Sequence, residues 1–328
     1  MSRVDEVIIV ENRGFDPNLC NAAQTTRLGY QHGFEGIGKD VVFSSVSDLG
    51  DAIREIINPL VWLCYDDYNY LRELDLKALK NVPHIVQVNV WFDGMERLHE
   101  KYNAPSPGIP PELRKKILDS EPDFLWCSAP EAYFDSYQKW FDAGMNVVSL
   151  PWACDTQRYH PEPEDDRYSD VRVAFVGGYR PYKEAQYRNY LWPYLDSLST
   201  YGYSEWPKAY RGTIPYDDER VLYQNAMVCP SISEPQFAET GDTVERPFKI
   251  MGSGGLTVLD CVPAYEELFS PQEVLIPWDV EEHQSMMDYA MANPLFNLEW
   301  RESGYKAVME RHTYKHRAQK ILQELGCD

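Results

Sequence analysis

No stretch of this 328-residue chain approaches the roughly 20 apolar residues a membrane-crossing helix needs, so no membrane span is expected. The first residues, Met1-Ser-Arg-Val-Asp-Glu-Val-Ile-Ile-Val10, hold an apolar run too short for a secretory signal and read as a first strand. Cysteine is present but unpatterned. The seven residues at 20, 64, 127, 154, 229, 261 and 327 form no Cys-x-x-Cys pair, which points to reduced thiols and a cytoplasmic location. Positive charge is scarce, 31 basic against 52 acidic side chains. Non-specific nucleic-acid binding depends on neutralising phosphates, so a nucleic-acid partner is not expected, although a local basic cleft stays open. No Asp-x-Asp occurs, which leaves a metal-chelating diphosphate site of that kind without a candidate. No complete Gly-x-Gly-x-x-Gly occurs either, which speaks against a dinucleotide cofactor. His312 and His316 stand at zinc-ligand spacing, but no Glu follows the first, and a solvated or capped helix start is the favoured reading.

What is present is alternation. Apolar runs at 7–10, 41–43, 60–64, 85–90, 124–127 and 147–150 suit buried strands, with helical patterns between several of them, near 47–57 and 131–143. After the polar, Pro-containing stretch that follows Trp152, a second alternation begins at Val171. Its strands are expected at 171–176, 227–229, 256–259 and 274–276, and its helices at 280–291 and 298–325. The expected fold class is α/β, with two Rossmann-like domains built on parallel sheets. The divisions are 1–154 for the first domain, 155–170 for a linker, 171–310 for the second domain and 311–328 for a C-terminal helix.

Two stretches in the second half combine glycine with positive charge. Gly177-Gly178-Tyr179-Arg180-Pro-Tyr-Lys183 follows a buried strand and opens a helix, which is where diphosphates bind. Glu245-Arg246-Pro-Phe-Lys249 opens another helix, which Asp242 or Thr243 could cap and which Gly252, Gly254 and Gly255 end. Residues 245 and 249 share a face, so the plain alternative is a solvated surface pair. A carboxylate there can hold sugar hydroxyls, and cations there can hold a diphosphate. Gly33-Phe-Glu-Gly-Ile-Gly38-Lys39-Asp40 nearly spells a phosphate-binding loop, but it precedes a strand and ends on an anion, so it is not read as one.

Taken together, Val173-Ala-Phe-Val-Gly-Gly178, Gly212-Thr-Ile-Pro-Tyr216, Glu245-Arg-Pro-Phe-Lys-Ile-Met-Gly-Ser-Gly-Gly-Leu256 and His312-Thr-Tyr-Lys-His-Arg317 resemble glycosyltransferases of the GT-B fold, in particular the spore-maturation (CgeB-like) branch. The resemblance covers about residues 145–325. It implies two Rossmann-like domains facing across a cleft, with a nucleotide-activated sugar, UDP- or GDP-linked, bound by the C-terminal domain. It also implies an acceptor on the N-terminal side, no cofactor, catalysis without an essential metal, and a C-terminal helix that packs back on the first domain. On this reading Arg180, Lys183, Arg246 and Lys249 are the diphosphate candidates, Glu245 serves ribose or sugar hydroxyls, and Gly177, Gly178, Gly254 and Gly255 line the donor. Tyr216 lies in the loop that contacts the base in relatives. Where many relatives place a Glu after the Arg-x-Phe unit, this chain has Lys249. An inverting reaction would need a general base, for which Asp93 is the first candidate, then Asp66 and Asp67. Two other functions fit the same residues: transfer to a modified nucleic-acid base, and a non-catalytic nucleotide-sugar binding module.

Overall fold

The apolar runs become strands covered on both faces, which is why they read as continuous rather than alternating. In the computed structural model, which describes residues 4–11, 22–64, 73–88, 100–102, 111–163 and 165–327, the chain divides into two units. The first ends at Pro151 and takes up the chain again at Tyr314; the second holds Trp152–Thr313.

The first unit is a parallel sheet of β1 (Glu6–Glu11), β2 (Asp40–Ser45), β3 (Pro59–Leu63), β4 (His84–Gln87), β5 (Phe124–Cys127) and β6 (Val147–Ser149). Its order is β2-β1-β3-β4-β5-β6, so the direction of winding reverses between β1 and β3. One face is filled by Trp62 and Trp126, stacked at 5.4 Å, with Tyr30 packed on both. Tyr30 belongs to the helix Ala22–Glu35, and Tyr314 of the C-terminal helix Tyr314–Glu324 lies 4.9 Å from it, ring to ring. Gly29 and Gly33 make that approach possible. A Cβ on Gly29 would fall 2.2 Å from the Tyr314 ring, and one on Gly33 would fall 2.5 Å from the Tyr314 carbonyl oxygen. Gly33 is therefore a helix-packing glycine. Lys39 donates to the Val4 carbonyl at 2.6 Å, so the phosphate-loop look-alike is a helix end entering β2.

The second unit contains β7 (Val173–Val176), β8 (Leu198–Tyr201), β9 (Cys229–Ser231) and β10 (Thr257–Leu259). β7 pairs with β8 and β9 with β10, all parallel, and a bridge between Val173 and Val228 joins the two pairs. The order is thus β8-β7-β9-β10, reversing between β7 and β9. β8 was not anticipated: its Leu-Ser-Thr-Tyr sequence is half polar, yet all four residues are buried. The run at 274–276 contributes only a bridge from Leu275 to Val258. The helical pattern at 298–325 is two helices, Pro294–Arg311 and Tyr314–Glu324. They are separated at His312, whose ring packs on Phe248 and Phe269 while its Nε2 bonds the Leu268 carbonyl at 2.9 Å. The two histidines therefore do not share a helix face. The segment from Asp155 onward is fastened to the second unit, for instance by Asn225, whose side-chain amide donates to the Arg167 carbonyl at 2.7 Å.

Candidate active site

The helix Arg246–Gly252 is short, and Pro247 is tolerated in its first turn because the N–H it lacks would have no partner there. Glu245 occupies the cap position without a side-chain cap bond, so neither Asp242 nor Thr243 caps it; both are buried in the approach. The helix stops by the glycine mechanism. Gly254 adopts φ +73°, its N–H bonds the Met251 carbonyl at 2.9 Å, and the Gly255 N–H reaches back to the Ile250 carbonyl at 2.8 Å. A Cβ on Gly255 would fall 2.4 Å from the Tyr223 carbonyl oxygen. These two glycines stand at the opposite end of the helix from Arg246.

Arg246 sits where the strand order reverses. Its Nε donates to the Val176 carbonyl at 2.9 Å, at the carboxyl end of β7, and its Nη1 to the Ile232 carbonyl at 3.1 Å, just beyond β9. The guanidinium lies over the Phe175 ring. Nη2 points along Gly177, where an added Cβ would fall 2.9 Å from it, so glycine at 177 leaves room for this group. Gly178 does the same for Tyr203, whose hydroxyl receives a hydrogen bond from Arg180. The Gly177 carbonyl accepts the Trp206 indole N–H at 2.8 Å. Arg180 is exposed, and Arg246 is half-buried.

Lys183 lies deeper, on the 3-10 turn Pro181–Lys183. Its ammonium is 3.3 Å from a Glu234 carboxylate oxygen, and the other oxygen accepts the Tyr182 hydroxyl at 2.8 Å. Burial holds the Lys183 pKa below the usual lysine value, against the opposing pull of Glu234. Burial raises the Tyr182 phenol, and Glu234 adds to the effect. Arg246, Gly177, Gly178, Arg180 and Lys183 are thus brought together at the carboxyl ends of β7 and β9, the place where open α/β sheets take ligands.

Glu245 and Lys249 form a pair at 2.8 Å with side chains only 6% and 9% exposed. The surface-pair alternative is therefore wrong: neighbouring chain segments cover this face. Lys249 lies over the Tyr159 ring, and the Tyr159 and Tyr223 hydroxyls both donate to Glu219 at 2.6 Å. Burial pushes both phenols well above their ordinary value, Glu219 reinforcing it. Tyr216 opens a 3-10 turn beside this cluster, its ring covered by the Arg158 guanidinium. Its hydroxyl is buried with no hydrogen-bond partner among the described residues. Asp93, Asp66 and Asp67 lie outside the described residues.

Sequence reasoning passed over Glu234, Tyr182, Ser233 and Asp260. Glu234 and Asp260 each follow a strand of the second sheet, and that position, the carboxyl end of a parallel strand, was the available signal. Among the described residues, no group of three or more His, Cys, Asp and Glu side chains could hold a metal ion. No described helix is long and apolar enough to cross a membrane.

Residues 172–323 match the family described as glycosyl transferase-like. No curated protein matches the chain. Solved structures resemble it over nearly its whole length. Anabaena HepE, in complex with UDP and glucose, aligns with TM-score 0.65 and 9% identity over 98% of this chain and 99% of that one. An E. coli trehalose-6-phosphate protein bound with UDP-2-fluoro glucose gives 0.64 and 9%, again over 98% and 99%. A T4 phage BGT mutant in complex with UDP-glucose gives 0.61 and 11%, with the same coverage. The fold is GT-B, and with the matched domain it marks the chain as an enzyme of the glycosyltransferase class.

Proposed function

We propose that this protein transfers a sugar from a UDP-linked donor to an acceptor, in the manner of the spore-maturation-like branch, and that the second unit binds the donor. The observation that carries this reading is the position of Arg246. It lies at the β7/β9 reversal beside two glycines, and its Nε and Nη1 are fixed by strand-end carbonyls while Nη2 lies along Gly177. The likeness to structures that hold UDP or UDP-sugars supports UDP as the nucleotide.

In this reading Arg246 and Arg180 meet the diphosphate. Loss of the nucleoside diphosphate builds negative charge on the leaving oxygen, and cations already fixed in place lower that barrier without reorganising. Lys183 and Lys249 each hold a carboxylate, so they share their charge between the donor and Glu234 or Glu245. Glu245 and Glu234 are the groups that can accept from sugar or ribose hydroxyls. Tyr216, with its unpartnered hydroxyl, is the base contact. Gly254 and Gly255 act indirectly, by ending the helix that presents Arg246. Asp93 is the proposed base should the reaction invert.

The reaction is proposed to run without an essential metal, although one structure of the same fold, T4 phage BGT, holds UDP and Mn2+. The net charge of −21 weighs against a nucleic-acid acceptor. A thermal-shift screen of UDP- and GDP-linked sugars tests the reading. A true donor at 100 times its dissociation constant adds about 2.7 kcal/mol to native stability. A flat response to every nucleotide sugar overturns it.

A further inference from the structure

Beneath the cations lies a buried carboxylate that the chemistry above leaves unused. Asp260 follows β10 and is 2% exposed. Its Oδ2 accepts the Ser233 backbone N–H at 2.6 Å, and its Oδ1 accepts the Ser233 hydroxyl at 3.0 Å. An ionised carboxylate only accepts, so the single hydroxyl proton of Ser233 goes to Asp260. Tyr265, whose oxygen is 3.4 Å from Ser233 Oγ, must then donate to it, while accepting the Val244 N–H at 3.2 Å. The Ser233 carbonyl takes the Gln186 side-chain amide at 3.1 Å. Every polar group of Ser233 is occupied. Its two neighbours hold the site cations: the Ile232 carbonyl receives Arg246, and the Glu234 carboxylate receives Lys183 and Tyr182.

We propose that Asp260 is the positioning residue of the donor site, its ionised carboxylate locking the turn at 232–234 that sets Arg246 and Lys183, and that protonating it loosens the turn and weakens donor binding. The proposal rests on the donor-site reading above. A neutral carboxyl carries its proton on one oxygen, so Oδ1 donates to the Ser233 hydroxyl instead of accepting from it; the charge-assisted bond becomes a neutral one, and the Ser233–Tyr265 bond must reverse, leaving the Tyr265 proton without its acceptor. Burial pushes this carboxyl up to about 6, while the Ser233 bonds and Lys183 pull it down. The other titratable groups that face it, Tyr190, Cys261 and Tyr265, are themselves raised by burial and stay neutral across this range.

The test is titration calorimetry with UDP-glucose, whose diphosphate carries no group that titrates near pH 6, on wild type and Asp260→Asn. Wild-type affinity is expected to fall roughly threefold between about pH 7.5 and 5.5, as a carboxyl titrating at about 6 passes from almost fully ionised to about one quarter ionised while each protonation removes one charge-assisted contact. Asp260→Asn should bind weakly at both pH values, with little pH dependence. Equal affinity in wild type and a folded Asp260→Asn, or the same pH dependence in both, overturns the proposal. Hydrogen exchange of the amides at 232–234, measured without ligand, keeps the two readings apart. If wild type binds neither UDP-glucose nor any other UDP-linked sugar, the donor reading fails by itself, and unaccelerated exchange in Asp260→Asn rejects the lock independently. Ser233→Ala removes only the hydroxyl link and serves where Asp260→Asn does not fold; it should show a smaller change in the same direction, and wild-type behaviour in both assays would count against the lock.

Discussion

Arg27 and Arg246 do the same work in different units. Arg27 donates from Nε to the Val10 carbonyl at 3.1 Å and from Nη2 to the Cys64 carbonyl at 3.1 Å, at the carboxyl ends of β1 and β3. Arg246 ties Val176 to Ile232 beyond β7 and β9. Each guanidinium bridges the carboxyl ends of the two strands between which its sheet reverses its winding. They differ in exposure: Arg27 is 3% exposed, whereas Arg246 is half-buried with Nη2 beside Gly177.

That comparison separates structure from function. Arg27→Ala and Arg246→Ala should each destabilise by about 1–3 kcal/mol, since each removes charge-assisted hydrogen bonds to strand-end carbonyls. Arg246→Lys should keep the positive charge but lose the two-carbonyl grip, because an ammonium lacks the fixed fork. UDP-glucose affinity should fall about tenfold in Arg246→Lys and stay unchanged in Arg27→Lys. Urea unfolding and calorimetry read the two effects separately.

The buried pair Glu245–Lys249 makes a second prediction. Lys249→Met removes the cation 2.8 Å from a covered carboxylate and should cost about 3 kcal/mol. Glu245→Leu combined with Lys249→Met should recover most of that loss, because two desolvated charges are removed together. Denaturation midpoints of the single and double variants check the stability. If Glu245 meets the donor as proposed, UDP-glucose affinity stays low in the double variant even as stability returns.

The strands were legible in the sequence wherever the chain is apolar on both faces, as at Val7–Val10 and Phe124–Cys127. β8 was not, because Ser199 and Thr200 are polar by type yet buried, and the Thr200 hydroxyl is satisfied by the Lys208 carbonyl at 3.3 Å. Spacing showed that Glu245 and Lys249 share a helix face, but a single helix's pattern does not reveal what covers that face. Tyr159, which lies under Lys249, comes from a stretch that reads as linker. Glycine reads as close approach, but the sequence does not say to what. Gly177 and Gly178 turn out to face Arg246 and Tyr203.

Two buried groups set opposing pH responses. His283 is fully buried, neither ring nitrogen has a hydrogen-bond partner among the described residues, and burial pushes its pKa from 6.5 down to about 4. Its contribution is present above pH 6.5 and is lost as pH falls toward 4, by up to roughly 3 kcal/mol. Asp260 is raised from 3.8 to about 6, so its contribution is present below pH 3.8 and lost as pH rises through 6. Between about pH 4 and 6 the two slopes cancel. Relative to wild type, Asp260→Asn should therefore lose stability as pH falls through this window, and His283→Phe should gain it. Urea midpoints across the window check both signs; two variants that shift in the same direction would contradict the assignment.

Metal independence is tested by chelation. Transfer or hydrolysis of UDP-glucose should survive EDTA with little loss. Activity that collapses and returns only with manganese or magnesium would move the catalytic charge from the arginines to an ion.

The most direct measurement is calorimetric titration of UDP-linked sugars into wild type and Arg246→Lys, side by side. The account predicts saturable one-to-one binding to wild type for at least one UDP-sugar, weakened about tenfold in the folded variant. No binding of any UDP-linked sugar to wild type, or equal binding to both proteins, would contradict a donor site built on Arg246.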